Sequence, residues 1–194
     1  MPPRFVSLQL SRPMGLAGRV IGRLMNRHNA RINAFAVSQL GLQPTDRVLE
    51  VGFGGGAALP ALLERAALVA GIDHSADMVD WAHRRFRHAV KSGRADFREA
   101  AIETIPFPAG SFDKAYTVNT VYFWRSLEEG FDELHRVLAP GGRAVIGFLP
   151  KPWMDRLGHP AEIFTSRTTD DVVDAMHGSG FHDVHIERPD PATA

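Results

Sequence analysis

Val48-Leu49-Glu50-Val51-Gly52-Phe53-Gly54-Gly55-Gly56 is the stretch on which the reading of this chain turns. An apolar run that ends in a carboxylate and passes into a glycine-rich turn predicts a buried strand leading through a tight bend into a helix. Val69-Ala70-Gly71-Ile72-Asp73 predicts a second buried strand, again ending in a carboxylate. Asp73 follows the glycines by about 20 residues, the separation at which a nucleotide site places its ribose-binding acid. Gly52 and Gly54 let the backbone bend sharply and lie flat against a ligand where a Cβ would collide. The helix start at Gly56-Ala57-Ala58 offers N–H groups and the positive end of a helix dipole to a carboxylate or phosphate. A tight turn with no ligand is the plainer alternative, and the pair Glu50 and Asp73 speaks against it.

Two cofactors fit such a turn. Gly52-x-Gly54-x-x-Ala57 satisfies the dinucleotide fingerprint G-x-G-x-x-G/A, which points to NAD and an oxidoreductase. Glu50 points the other way. An acid two residues before the first glycine would face a pyrophosphate unfavourably, whereas it suits the cationic ammonium and sulfonium of S-adenosylmethionine.

Residues 45–150 resemble class I S-adenosylmethionine-dependent methyltransferases, of the broad group that includes the ubiquinone/menaquinone C-methyltransferases. Four segments carry the resemblance in the family's order and spacing: VLEVGFGGG at 48–56, GIDHSADMVDWA at 71–82, IPFPAGSFDKAYTVNTVYFW at 105–124 and ELHRVLAPGGRAVIGF at 133–148. The resemblance implies S-adenosylmethionine as cofactor and a loop of Glu50, Gly52, Phe53, Gly54 and Gly56 to hold it. It further implies Asp73, with His74 beside it, at the ribose hydroxyls and Met78 near the adenine. In many relatives an Asp four residues before the Leu/Ile-Pro-Phe motif contacts the adenine amino group. Here that position is Ala101, so the adenine is left to the Ile102 backbone and apolar packing, or to Glu103. The function implied is methyl transfer to a small-molecule acceptor by in-line displacement. A non-catalytic protein that keeps the fold and binds the cofactor is the alternative that Ala101 leaves open.

The wider pattern is that of an α/β protein with a doubly wound, Rossmann-like, mostly parallel sheet. Strands are predicted at 47–51, 68–72, near 96–100, 112–118, 143–149 and 181–187. Helices are predicted at 57–67, from the Ser75 cap to about 90, at 127–138 and from a Thr168 or Thr169 cap to 178, with 150–167 irregular. Six strands are therefore predicted. The family's seventh, antiparallel strand has no counterpart, since Arg188-Pro-Asp-Pro-Ala-Thr-Ala194 cannot supply it. Residues 45–194 are predicted to form the cofactor-binding domain and residues 1–44 an N-terminal helical extension. Residues 1–45 carry six arginines and no acid in a chain of zero net charge. Leu16, Val20, Leu24, His28, Ile32 and Phe35 fall near helical spacing. That extension reads as ordinary packing on the sheet edge, as a lid over the acceptor, or as a transient contact with a membrane surface.

Composition sets the bounds. At 194 residues, 44% hydrophobic and 23% charged, the chain is long enough for a self-sufficient core. It has no cysteine, which excludes disulfides, thiol nucleophiles and cysteine-bound zinc. No apolar run approaches a membrane span and no signal-peptide core is present, so a cytoplasmic protein is expected. No nucleic-acid motif accompanies the basic residues. His182 and His185 would point to opposite faces of a strand, so no metal is expected.

Chemistry is predicted outside the carboxyl ends of the strands. Asn119, directly after the fourth, is the residue expected nearest the transferred methyl group, on the acceptor or at the cofactor's methionine end. Asn119-Thr120-Val121-Tyr122 loosely resembles the Asn-Pro-Pro-Tyr motif of amino-methylating enzymes, with both prolines absent. Tyr122, Phe123 and Trp124 either wall a hydrophobic or aromatic acceptor or anchor the loop in the core. His28 and His159 are the candidate bases. An open sheet edge leaves the choice between monomer and homodimer.

Overall fold

Val48 to Val51 are all buried because β1 (Arg47–Val51) runs through the middle of a sheet covered on both faces. The computed structural model describes residues 30–189. Around β1 stand β2 (Leu68–Asp73), β3 (Ala95–Glu99), β4 (Phe112–Val118) and β5 (Leu138–Gly147), all parallel, in the order β3-β2-β1-β4-β5. Strands buried on both faces need apolar side chains on both, which accounts for the near-continuous Val-Leu-x-Val and Leu-Val-Ala-Gly-Ile runs.

Helices α1 (Ala30–Gln39), α2 (Leu59–Arg65) and α3 (Ala76–Arg85) cover one face, where Val37, Leu62 and Met78 meet Val48, Val69 and Tyr116. A short α4 (Arg87–Lys91) follows a break at Phe86, so the long helix predicted from Ser75 to about 90 is two. The opposite face is covered by α5 (Leu127–Val137), α6 (Lys151–Leu157) and α7 (Thr169–Gly178), whose Phe131, Met154 and Val172 pack on Leu49, Ile72 and Ala115. Two helix starts are capped as their sequences require. Ser126 Oγ accepts the Glu129 N–H, and Thr168 and Asp171 form a reciprocal capping box.

The strand order reverses between β1 and β4. Ligands of open α/β sheets bind in the crevice outside the carboxyl ends at such a point, and the glycine turn and Asn119 lie there.

Two expectations need correction. Residues 181–187 do not form a sixth strand; five strands are present among the described residues. Phe181 turns back onto the helices instead, its N–H donating to Met176 O at 3.0 Å and its ring packing edge-on to His135 and Phe131. Asp183, at φ +53°, then breaks any extended run, and Ile186 is left 58% exposed. Residues 150–167 are not wholly irregular, because α6 occupies 151–157 with Pro152 in its first turn.

Of the N-terminal extension, α1 is described; it packs over β4 and β5, with Ile32 near Gly147 and Gln39 O accepting from Arg143. Residues 1–29, His28 included, lie outside the described residues. Phe131, fully buried between Trp124 and Phe181, ties α5 to the layer beneath it. Phe131→Ala is expected to lower unfolding stability by about 3–5 kcal/mol in urea titration, at unchanged m-value.

Candidate active site

Glu50 is the last residue but one of β1, at the centre of the sheet, with Gly71 of β2 and Tyr116 of β4 as its register neighbours. It is 4% exposed, and its Oε2 is buried without a hydrogen-bond partner. The Tyr116 hydroxyl does not serve it, since it donates to Asn33 Oδ1 on α1. Burial, assisted by the nearby Asp73 carboxyl, pushes Glu50 up to about 8, well above the ordinary glutamate range. In the free protein at neutral pH Glu50 therefore carries its proton. A cation delivered to this position would release it.

Asp73 ends β2, buried to 5% exposure. Its Oδ2 accepts the Gly54 N–H at 2.8 Å and its Oδ1 accepts the Ser75 N–H at 2.9 Å. Burial pushes this carboxyl up, and those two N–H donors together with His74 pull against the rise. Each oxygen keeps a second lone pair, so the side chain both braces the glycine turn and can still accept from a hydroxyl. His74 is exposed, with Nδ1 3.9 Å from Asp73 Oδ1.

The glycine turn is bare where a ligand would lie. Gly54 has φ +47°, and a Cβ there would meet nothing within 4 Å. Gly52 has φ +67°, and a Cβ there would stand 2.5 Å from Thr120 Cγ2. Glycine is required at both for conformation, and at Gly52 for the close approach as well. The helix begins later than the sequence suggests, at Leu59, and the Gly56 N–H is already bonded to Phe53 O at 2.7 Å. Phe53 and Met78 are both buried in the core, Phe53 edge-on to Phe97. Ala101 is exposed, Ile102 is buried close to Gly130 of α5, and Glu103 Oε1 accepts the Arg125 N–H at 2.7 Å.

Beyond β4, Asn119 adopts φ +58°, a left-handed conformation that asparagine tolerates better than most residues. Its N–H donates to Gly147 O at 2.8 Å, and its Oδ1 and Leu149 O each lie 3.3 Å from the Tyr122 hydroxyl, which has one proton to donate between them. Tyr122 is 2% exposed, and its hydroxyl also accepts the Leu149 N–H. Burial raises the phenol far above its ordinary range, so it remains a neutral strut between the ends of β4 and β5. Phe123, half-buried, packs on Phe164 at 4.7 Å between ring centroids, and His159 stacks on the same Phe164 at 4.2 Å. Burial holds His159 below the ordinary histidine range.

The fold thus unites Glu50 with Asp73, Gly54 with Asp73, and Asn119 with Tyr122, and it brings His159 to the same aromatic group through Phe164. Sequence reasoning missed Thr120, whose methyl fills the space beside Gly52, and Trp81, whose ring lies against Gly56. It also missed Phe164. None of these three carries a local signal, because each matters through a contact with a segment distant in the chain.

The arrangement suits an adenosyl donor with a positive charge: a turn without side chains, a hydroxyl-accepting carboxylate beside it, and a buried acid with an orphaned oxygen. A parallel sheet of this order with such a site defines a class I S-adenosylmethionine-dependent methyltransferase. The Methyltransferase domain model matches residues 49–146, half of the chain, and the chain belongs to that family. It is 32% identical over 170 residues to the uncharacterized methyltransferase YdaC of Bacillus subtilis, covering 87% of this chain and 89% of that one. It is 36% identical over 119 residues to the ubiquinone/menaquinone biosynthesis C-methyltransferase UbiE of a Geobacter species, covering 60% of this chain and 51% of that one. It thus spans nearly all of the first relative and about half of the second. Among solved structures, geranyl diphosphate C-methyltransferase from Streptomyces coelicolor shares the fold, at TM-score 0.66 and 22% identity over 79% of this chain and 60% of that one.

A carboxyl whose pKa is higher folded than unfolded binds its proton more tightly in the folded state. Glu50's contribution to stability is therefore full below the unfolded value near 4.5 and is lost as pH rises toward 8. The loss runs at up to about 1.4 kcal/mol per pH unit. Glu50→Gln, which keeps the shape without the titration, is expected to gain stability relative to the parent between pH 5 and pH 8 in a series of thermal unfolding curves. Parallel curves for both proteins across that range would contradict it.

Proposed function

We propose that the chain transfers the methyl group of S-adenosylmethionine to a small acceptor with an apolar or aromatic body, by in-line displacement at the mouth between the glycine turn and Asn119. The observation that carries the acceptor class is the group of rings beyond β4 and β5: Phe123, Phe164 and His159, backed by Tyr122. Aromatic side chains gathered at the carboxyl end of a sheet give a flat apolar body a surface to stack on. Two of the relatives point the same way, one by its part in ubiquinone/menaquinone biosynthesis and one by its geranyl acceptor.

S-adenosylmethionine supplies an electrophilic methyl group when bound. The chain's own part is to hold donor and acceptor in line and to keep water out, so proximity carries much of the rate. Glu50 and the bare turn seat the donor, with Asp73 at its ribose hydroxyls. Asn119, with Oδ1 beside the Tyr122 hydroxyl, keeps its amide N–H2 to orient the acceptor. His159, held neutral by its surroundings, is the group that accepts a proton from the acceptor.

The test is transfer of an isotope-labelled methyl group from S-adenosylmethionine to a panel of hydroquinones, phenols and isoprenoids, with amines and sugars as contrast. Label is expected in an apolar aromatic or isoprenoid acceptor. Phe164→Ala is expected to raise the KM for that acceptor by about tenfold, at unchanged KM for the donor. Label confined to polar acceptors would overturn this reading of the aromatic group.

A further inference from the structure

A line of hydrogen bonds joins the loop after β4 to the end of β1, and the chemistry of its members fixes its direction. Trp124 Nε1 carries a proton and no lone pair, so it donates to Thr120 Oγ1, at 3.1 Å. Val51 O carries lone pairs and no proton, so it accepts from Thr117 Oγ1, at 2.9 Å. Between them the two threonine hydroxyls are bonded to each other. The single proton of Thr117 is committed to Val51, so Thr120 is the donor and Thr117 the acceptor. The line runs one way throughout: indole N–H to Thr120, Thr120 to Thr117, Thr117 to the Val51 carbonyl. Each hydroxyl accepts and donates once, an order in which each bond polarises the next. Thr117 is 1% exposed and Trp124 4%, so both ends of the line are buried, with Thr120 half-buried between them.

Thr120 meets the same turn by a second route. Its Cγ2 occupies the space a side chain on Gly52 would need. One residue therefore presses the bare Cα of Gly52 with its methyl group and holds the adjoining Val51 carbonyl, through Thr117, with its hydroxyl. From the other side β2 fixes the turn by Gly52 N–H to Ile72 O at 2.7 Å and Gly54 N–H to Asp73 Oδ2 at 2.8 Å. The clamp from β4 starts in the loop that also carries Asn119, Tyr122 and Phe123. Its first member is itself wedged, since Trp124 lies against Gly130 and edge-on to Phe131.

We infer that Thr120 is a positioning residue that couples the cofactor turn to the acceptor-side loop, through its hydroxyl to Val51 and its methyl to Gly52. This rests on the turn being the cofactor seat. Whatever an acceptor does to residues 119–124 is then felt at Gly52, and the cofactor acts on the acceptor loop by the same amount in return.

Two substitutions separate the routes. Thr120→Val keeps the methyl group and the shape and removes the hydroxyl; Thr120→Ser keeps the hydroxyl and removes the methyl. The chain has three tryptophans, so a ¹H–¹⁵N spectrum of the free protein offers three indole signals, with that of Trp124 identified by its loss in Trp124→Phe. In Thr120→Val the Trp124 indole proton signal is expected to move upfield, the direction in which an N–H proton shifts when it loses its acceptor. The affinity for S-adenosylhomocysteine, by calorimetry well below the unfolding temperature of every variant, is expected to fall about tenfold. Thr120→Ser is expected to keep the indole signal and most of the affinity, a rescue that mere loss of packing would not give. An unmoved indole signal in Thr120→Val, parental affinity in that variant, or equal weakening in both variants would overturn the coupling. If Thr120→Val does not fold, Trp124→Phe removes the first donor and must weaken S-adenosylhomocysteine binding likewise; parental affinity there overturns the coupling too. A parent protein that does not bind S-adenosylhomocysteine would overturn the cofactor reading, and the indole signal would still decide the hydrogen-bond line.

Discussion

Two carboxyl groups lie near the carboxyl ends of adjacent strands in the centre of a buried parallel sheet, and no lysine or arginine among the described residues bonds to either. Burying a charge without a partner is costly, and the usual escape is to keep the proton. Asp73 finds partial relief in the N–H groups of Gly54 and Ser75. Glu50 finds none for its Oε2, flanked as it is by Gly71 and by a Tyr116 whose hydroxyl is turned away. The two acids therefore divide the work. Asp73 shapes the turn, and Glu50 waits for a positive charge. A pyrophosphate in the same place would meet a neutral or negative wall, which is the physical reason the dinucleotide fingerprint at Gly52–Ala57 does not imply NAD.

Everything else in the site is arranged around that turn. β2 fixes it through Asp73 and Ile72, β4 through Thr117 and Thr120, and Trp81 of α3 lies along Gly56. The proposed acceptor side hangs on different residues, the loop 119–124 and the segment carrying His159 and Phe164. In the proposed reading the donor seat sits on strand ends and glycines, while the rings offered to the acceptor sit on loops, a division that lets one scaffold carry different acceptor sites.

How much of this was legible in the sequence follows from where the information resides. The turn was, because positive φ at Gly52 and Gly54 must be written as glycine, and the buried strands were, because burial on both faces leaves unbroken apolar runs. The helix start at Thr168 was legible for the same local reason, a side-chain oxygen where orphan N–H groups need one. Residues 181–187 misled because a strand exists only through a partner, and Phe181 found the helices α5 and α7 instead. Helix α6 was hidden behind Pro150 and Pro152, which read as irregular chain although proline suits a first turn. Thr117, Thr120 and Trp124 form their line only once β1 and β4 are side by side, and no spacing in the chain announces that. Tyr122 reads from the sequence as acceptor wall or as anchor; its hydroxyl is buried between Asn119 and Leu149, contacts that form only when the ends of β4 and β5 meet.

The central claim is that Glu50 is held protonated until a cationic cofactor arrives. Calorimetric titration of the protein with S-adenosylmethionine at pH 7, in two buffers of different ionisation enthalpy, counts the protons exchanged on binding. The account predicts micromolar binding with close to one proton released per site, and release that disappears in Glu50→Gln. Tight binding with no proton released by the parent protein would contradict it.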